Sequence, residues 1–80
     1  MLFVFNYDRP LSFWMKNTLI PLDILFINST LDIVDVRHMV PCTQDPCQNY
    51  DSAGPAMYAL EINANQAQTS LIGEKVAMSR

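Results

Sequence analysis

Five prolines constrain what this chain can fold into. Pro10, Pro21, Pro41, Pro46 and Pro55 all fall between apolar runs or in polar stretches, never inside a run. Proline lacks the N–H that an interior strand must donate, so this placement marks strand ends. The stretches left between them read as five strands: Met1 to Asn6, Ser12 to Lys16, Leu22 to Asn28, Leu31 to Val40 and Ala56 to Ile62. Asn28-Ser29-Thr30 reads as a tight turn joining the third and fourth into a hairpin. The fourth strand changes phase, because Leu31 and Ile33 share one face while Val34 and Val36 share the other. A bulge or sharp bend near Ile33 would reconcile them. In the fifth, Ala56, Tyr58, Leu60 and Ile62 fall on one face.

Residues 41–55 hold Pro, Cys, Asn, Asp, Ser and Gly and almost no aliphatics, so they read as one long loop. Loops of this length are usually functional or tied down. Cys42 and Cys47 lie within it, and an even count at close spacing suits a small disulfide in an oxidising compartment. Closing so short a loop contributes roughly 2 kcal/mol in the chain-entropy view. Two free thiols are the alternative. Beyond the fifth strand, Ala64 to Ile72 is expected to be a helix. Asn63 and Gln66 have capping-box spacing, Ala64, Ala67 and Leu71 form a stripe, and Gly73 supplies a stop. Lys75 to Met78 reads as a last short strand. The fold class is therefore mainly β, a small antiparallel barrel or sandwich with one short C-terminal helix.

Eighty residues make one small domain, which buries only about 60% of the surface its unfolded chain exposes. The strands are few for a closed barrel, and the sequence opens directly inside a strand. Both features lead to the expectation of further fold residues and an export signal upstream of Met1, or of strand exchange between subunits. Five Lys and Arg stand against eight Asp and Glu, and Arg9, Lys16, Arg37, Lys75 and Arg80 form no stripe. Nucleic acid needs a clustered basic face, so it is not an expected partner. An anionic membrane surface has no more support. No apolar run approaches the ~20 residues of a spanning helix.

The densest chemistry lies in Ser12-Phe13-Trp14-Met15-Lys16-Asn17-Thr18. Strand alternation puts Phe13 and Met15 on the core side and Trp14 and Lys16 on the outer side. A lysine two residues from a tryptophan can lay its stem along the indole with its ammonium over the ring. Asp23 and Glu61 likewise interrupt apolar faces, and ionisable groups in such places are rarely buried unpaired. Brought together, Lys16, Asp23 and Glu61 would form a charged cluster in an apolar pocket. The plainer reading is a snorkelling lysine on an amphipathic face beside structural ion pairs. His38, Cys42, Cys47 and Asp45 are the metal-type residues, but His-x3-Cys-x4-Cys is no zinc spacing, and His38 reads as a surface or capping histidine. Neither a metal nor a cofactor is expected. Gly54 and Gly73 are isolated and cradle no phosphate.

Taken together, Met1-Leu2-Phe3-Val4-Phe5, Pro10-Leu11-Ser12-Phe13-Trp14-Met15-Lys16-Asn17-Thr18 and Ile20-Pro21-Leu22-Asp23-Ile24 resemble the core of the bacterial and archaeal family called domain of unknown function 192. Val40-Pro41-Cys42-Thr43, Asp45-Pro46-Cys47, Tyr50, Ser52, Pro55-Ala56, Tyr58 and Leu60-Glu61 extend the likeness along nearly the whole chain. The resemblance implies a compact β fold with a short helix near its end and frequent export. It also implies a strand and a helical segment before Met1. Asn65 and Glu74 depart from the Gly and Asp expected there. No accepted catalytic or ligand residue carries over.

The leading expectation is a non-enzymatic binding module, periplasmic or secreted in the cell envelope. It would hold a small polar or anionic ligand, or a peptide, among Trp14, Lys16, Asp23, Tyr58 and Glu61. One alternative is an acid–base enzyme with Glu61 or Asp23 as base. The other is an assembly protein that pairs with itself or a partner through exposed strand edges.

Overall fold

The computed structural model describes residues 1–77. Six strands form two antiparallel sheets: β1 (Leu2–Arg9), β2 (Ser12–Trp14), β3 (Leu22–Ile27), β4 (Ile33–Met39), β5 (Asn49–Asp51) and β6 (Ala56–Asn63). The main sheet runs β1-β6-β3-β4, and β2 and β5 pair separately. The main sheet is open, so the sandwich reading holds and the barrel does not. β1 and β4 are its edges.

Central strand β3 is buried on both faces, which is why Leu22–Ile27 is nearly continuously apolar. On one face, Ile24, Phe26, Met39 and Ala59 meet Leu11, Met15 and Tyr50 from the region of the small sheet. On the other, Leu25, Ile27, Ile33 and Val36 meet Ala67, with Leu71 and Val76 packed alongside. The small sheet thus covers one face and the C-terminal segment the other.

The phase change in β4 is a bulge. Phe26 pairs with Asp35 but Ile27 pairs with Ile33, leaving Val34 as the extra residue. It lets Ile33 and Val36 pack in one cluster while Val34 joins the opposite one. The preceding turn is wider than expected. Asn28 Oδ1 accepts from Asp32 N–H at 2.8 Å and from Thr30 Oγ1 at 3.0 Å. Asp8 on β1 clamps the turn by accepting from Ser29 N–H at 2.8 Å and Ser29 Oγ at 2.6 Å.

Four sequence expectations are corrected. The stretch 41–55 is not all loop, because Asn49–Asp51 forms β5, in register with Ser12–Trp14. Its signal is a single apolar residue, Tyr50, whose ring is buried and whose hydroxyl accepts from Val40 N–H at 3.1 Å. Ala56 does not share a face with Tyr58, Leu60 and Ile62; it packs with Ala59 in the opposite cluster. The helix over Ala64–Ile72 shrinks to one 3-10 turn, Thr69–Leu71. Asn65 stands at φ 65°, and the amides of Gln66 and Ala67 donate to the Asp23 carboxylate instead of capping a helix from Asn63. A strong external acceptor has outcompeted local helix formation. The last strand reduces to a bridge between Lys75 and Asp32, and its end at Met78 lies outside the described residues.

Candidate functional site

Two sites are built on opposite faces of the main sheet. The first is the outer side of β2 and the loop that follows it. Phe13 and Met15 turn inward, as alternation requires, and Trp14 is left 56% exposed. Lys16 Nζ sits 5.5 Å from the Trp14 ring centroid and 2.9 Å from Asp45 Oδ2. Asp45 is carried by a loop closed by the Cys42–Cys47 disulfide. The same loop is tied to β2 by backbone bonds, Cys42 N–H to Met15 O at 3.3 Å and Asn17 N–H to Cys42 O at 3.1 Å. Beside it lies a recess of about 200 Å³ lined by Met15, Val40, Pro41, Cys42, Pro46, Gln48 and Tyr50. Arg37 secures the small sheet from beneath, 5.7 Å from the Tyr50 centroid, and donates to Asp51 O at 3.0 Å.

The second site centres on Asp23, which is 1% exposed. Its Oδ1 lies 2.8 Å from His38 Nδ1, directly across the β3–β4 pair. Its Oδ2 accepts from the amides of Gln66 and Ala67, each at 3.0 Å. Burial alone would push this carboxyl up. The hydrogen bonds from His38, Ala67 and Gln66 outweigh it, and the group is held below its ordinary 3.8. The carboxylate is then an acceptor only, so Nδ1 of His38 carries the proton. The imidazole is 53% exposed and borders a shallow depression of about 480 Å³, shared with Asn65, Ala67, Gln68, Thr69 and Ser70. Asp35 plays the matching structural part on the other face, with Oδ2 accepting from Ala53 N–H at 3.1 Å.

The family model for domain of unknown function 192, an uncharacterized ACR, matches residues 1–78. The chain belongs to that family. No curated protein matches this family member. It is similar to a crystal structure of a proposed transcription regulator from Sinorhizobium meliloti, with a TM-score of 0.70 and 45% identity over 80% of this chain and 48% of that one. The chain therefore spans about half the length of that protein.

The five residues named from the sequence of this family member are not gathered in one place. Trp14 and Lys16 meet. Asp23 shares its face of the sheet with Tyr58, away from Lys16, and Tyr58 packs half-buried in the Leu25–Ile27 cluster. Glu61 stands opposite Ile24 on β6 and meets neither Lys16 nor Asp23 in an ion pair. Burial raises its carboxyl above 4.5, partly opposed by the α-amino group of Met1. A carboxyl raised by folding contributes stability below its unfolded value and loses it as pH rises through its folded value. Glu61→Gln is therefore expected to match the wild type near pH 4 and exceed it at pH 7, read as urea midpoints. Equal pH dependence of the two proteins would show that Glu61 does not feel its burial.

His38 was missed as a partner of Asp23. Counted without the bulge, the hairpin sets Arg37 across from Asp23, and the extra residue in β4 moves His38 there. The phase change near Ile33 was the signal that could have found it. Among the described residues no group of three or more His, Cys, Asp or Glu could hold a metal.

Proposed function

We propose that this protein is a binding module of the cell envelope whose ligand is a small carboxylate or the free carboxylate of a peptide, held at Trp14 and Lys16. The observation that carries the reading is an exposed indole with an ammonium fixed 5.5 Å from its centroid, beside a recess and a disulfide-closed loop. Lys16 reaches the ligand's charge and Trp14 packs against its body. The Lys16–Asp45 pair is exposed at both partners, and such pairs are worth roughly 0–1 kcal/mol, so an incoming carboxylate can replace Asp45. The disulfide supports an oxidising compartment. No helix among the described residues is long and apolar enough to cross a membrane.

Regulation of transcription, the proposed role of the Sinorhizobium meliloti protein, has less support in this chain. Its described cations are dispersed and each has a partner. Arg9 lies on Phe5, Lys16 on Trp14, Arg37 on Tyr50, and Lys75 pairs with Asp32 at 2.8 Å.

Trp14 is the chain's one tryptophan, so its emission reads this site alone. Titration with sodium acetate and with a short peptide ending in a free carboxylate is expected to change Trp14 emission saturably. Lys16→Ala should weaken binding roughly tenfold or more, the loss of one charge-assisted contact of about 1.5–3 kcal/mol. Emission that follows neither titrant, or that follows both equally in Lys16→Ala, would sink the reading.

A further inference from the structure

In the Asp23–His38 pair a buried carboxylate orients a half-exposed imidazole. Both Asp23 oxygens are committed, one to the imidazole and one to two backbone amides, so the carboxylate cannot turn away and the ring is held in one orientation. The acceptor-only carboxylate leaves the proton on Nδ1 and the lone pair on Nε2. The ring is half exposed and lines a depression. Among the described residues nothing hydrogen-bonds to Nε2. Around it the depression offers the side chains of Asn65, Gln68, Thr69 and Ser70, which are polar and uncharged. From β3 the charged neighbour is Asp23, from β6 the residue opposite Asp23 is Ile62, and the lining segment 65–70 holds no titratable group.

We propose that this depression is an acid–base site for small uncharged acyl compounds, with His38 Nε2 as the proton-accepting atom and Asp23 as the positioning residue. In ester hydrolysis Nε2 takes a proton from water as the water oxygen bonds to the acyl carbon. The ester C–O bond then breaks, and the alcohol leaves with the proton returned by the imidazolium. The neutral lining matches an uncharged substrate, whereas the carboxylate-binding face carries Lys16. The two sites lie on opposite faces of the main sheet, so ester turnover tests one and Trp14 emission the other.

His38 is the chain's one histidine, which makes both readouts unambiguous. A long-range ¹H–¹⁵N spectrum of the full chain should show neutral imidazole protonated at Nδ1, and Asp23→Asn should weaken that preference. With 4-nitrophenyl acetate as probe, turnover should exceed the buffer blank. It should fall on the order of 100-fold in His38→Ala. Asp23→Asn should lower kcat more than it changes KM, provided its circular dichroism matches the wild type. If that variant does not fold, His38→Ala decides alone. A His38→Ala protein as active as the wild type, or a wild-type ring protonated at Nε2, overturns the proposal.

Discussion

Asp23→Ala is expected to lower the free energy of unfolding by about 2–4 kcal/mol, because the carboxylate's hydrogen bonds to the C-terminal segment and to His38 are lost. The substitution strands the buried amide of Ala67, an orphaned donor that costs about 1–3 kcal/mol, and takes the acceptor from the part-buried Gln66 amide and His38 Nδ1–H. A chain of this size has roughly 4–12 kcal/mol in all, so the variant sits near the edge of folding. The effect has a pH signature. Folding holds the Asp23 carboxyl below its ordinary 3.8, so its contribution is complete above that value and is lost as pH falls through the lower folded one. Urea unfolding should therefore show wild type and Asp23→Ala far apart at pH 7 and converging in acid. A constant gap down to pH 2 would mean that the carboxylate's charge is not what holds the C-terminal segment.

Phe26→Ala is expected to cost a similar 3–5 kcal/mol by a different route. Phe26 is wholly buried in the centre of β3, and its ring lies 5.9 Å from Phe13, which in turn lies 5.2 Å from Phe3. These three rings form part of the contact between the main sheet and the strand that presents Trp14. Truncation opens a cavity under β2, so the small sheet should loosen before the main one. Amide exchange reads this directly: Phe13 and Tyr50 should lose more protection than Leu25 and Val36. Uniform loss across all four amides would show that the two sheets unfold as one unit. Phe3 is only partly buried, so Phe3→Ala should cost less.

The parts of the fold legible in the sequence were those fixed by local rules. Proline placement, alternation and the phase change near Ile33 gave the long strands and the β4 bulge, and the close cysteine spacing gave the disulfide loop. What stayed hidden depends on distant partners. β5 is three residues with one apolar side chain, and it is a strand because β2 lies beside it. The predicted helix had real local signals, but a carboxylate more than forty residues away takes two of its amides. The same holds for the candidate sites. Trp14 and Lys16 are two residues apart, and alternation alone puts them on one face. Asp23 and His38 come from different strands, and only the register joins them.

That register depends on one extra residue. Opposed residues across a hairpin share a face, so whether Val34 is bulged or paired decides which side chain the carboxylate meets. Pairing Val34 with Phe26, with the bulge ironed out, would put Arg37 across from Asp23, with no change at either position. A change in the Asn28–Asp35 stretch that irons out the bulge is therefore more consequential than most others in it. Among relatives, the presence of this bulge is as telling as the identity of residue 38 for whether the carboxylate–imidazole pair exists.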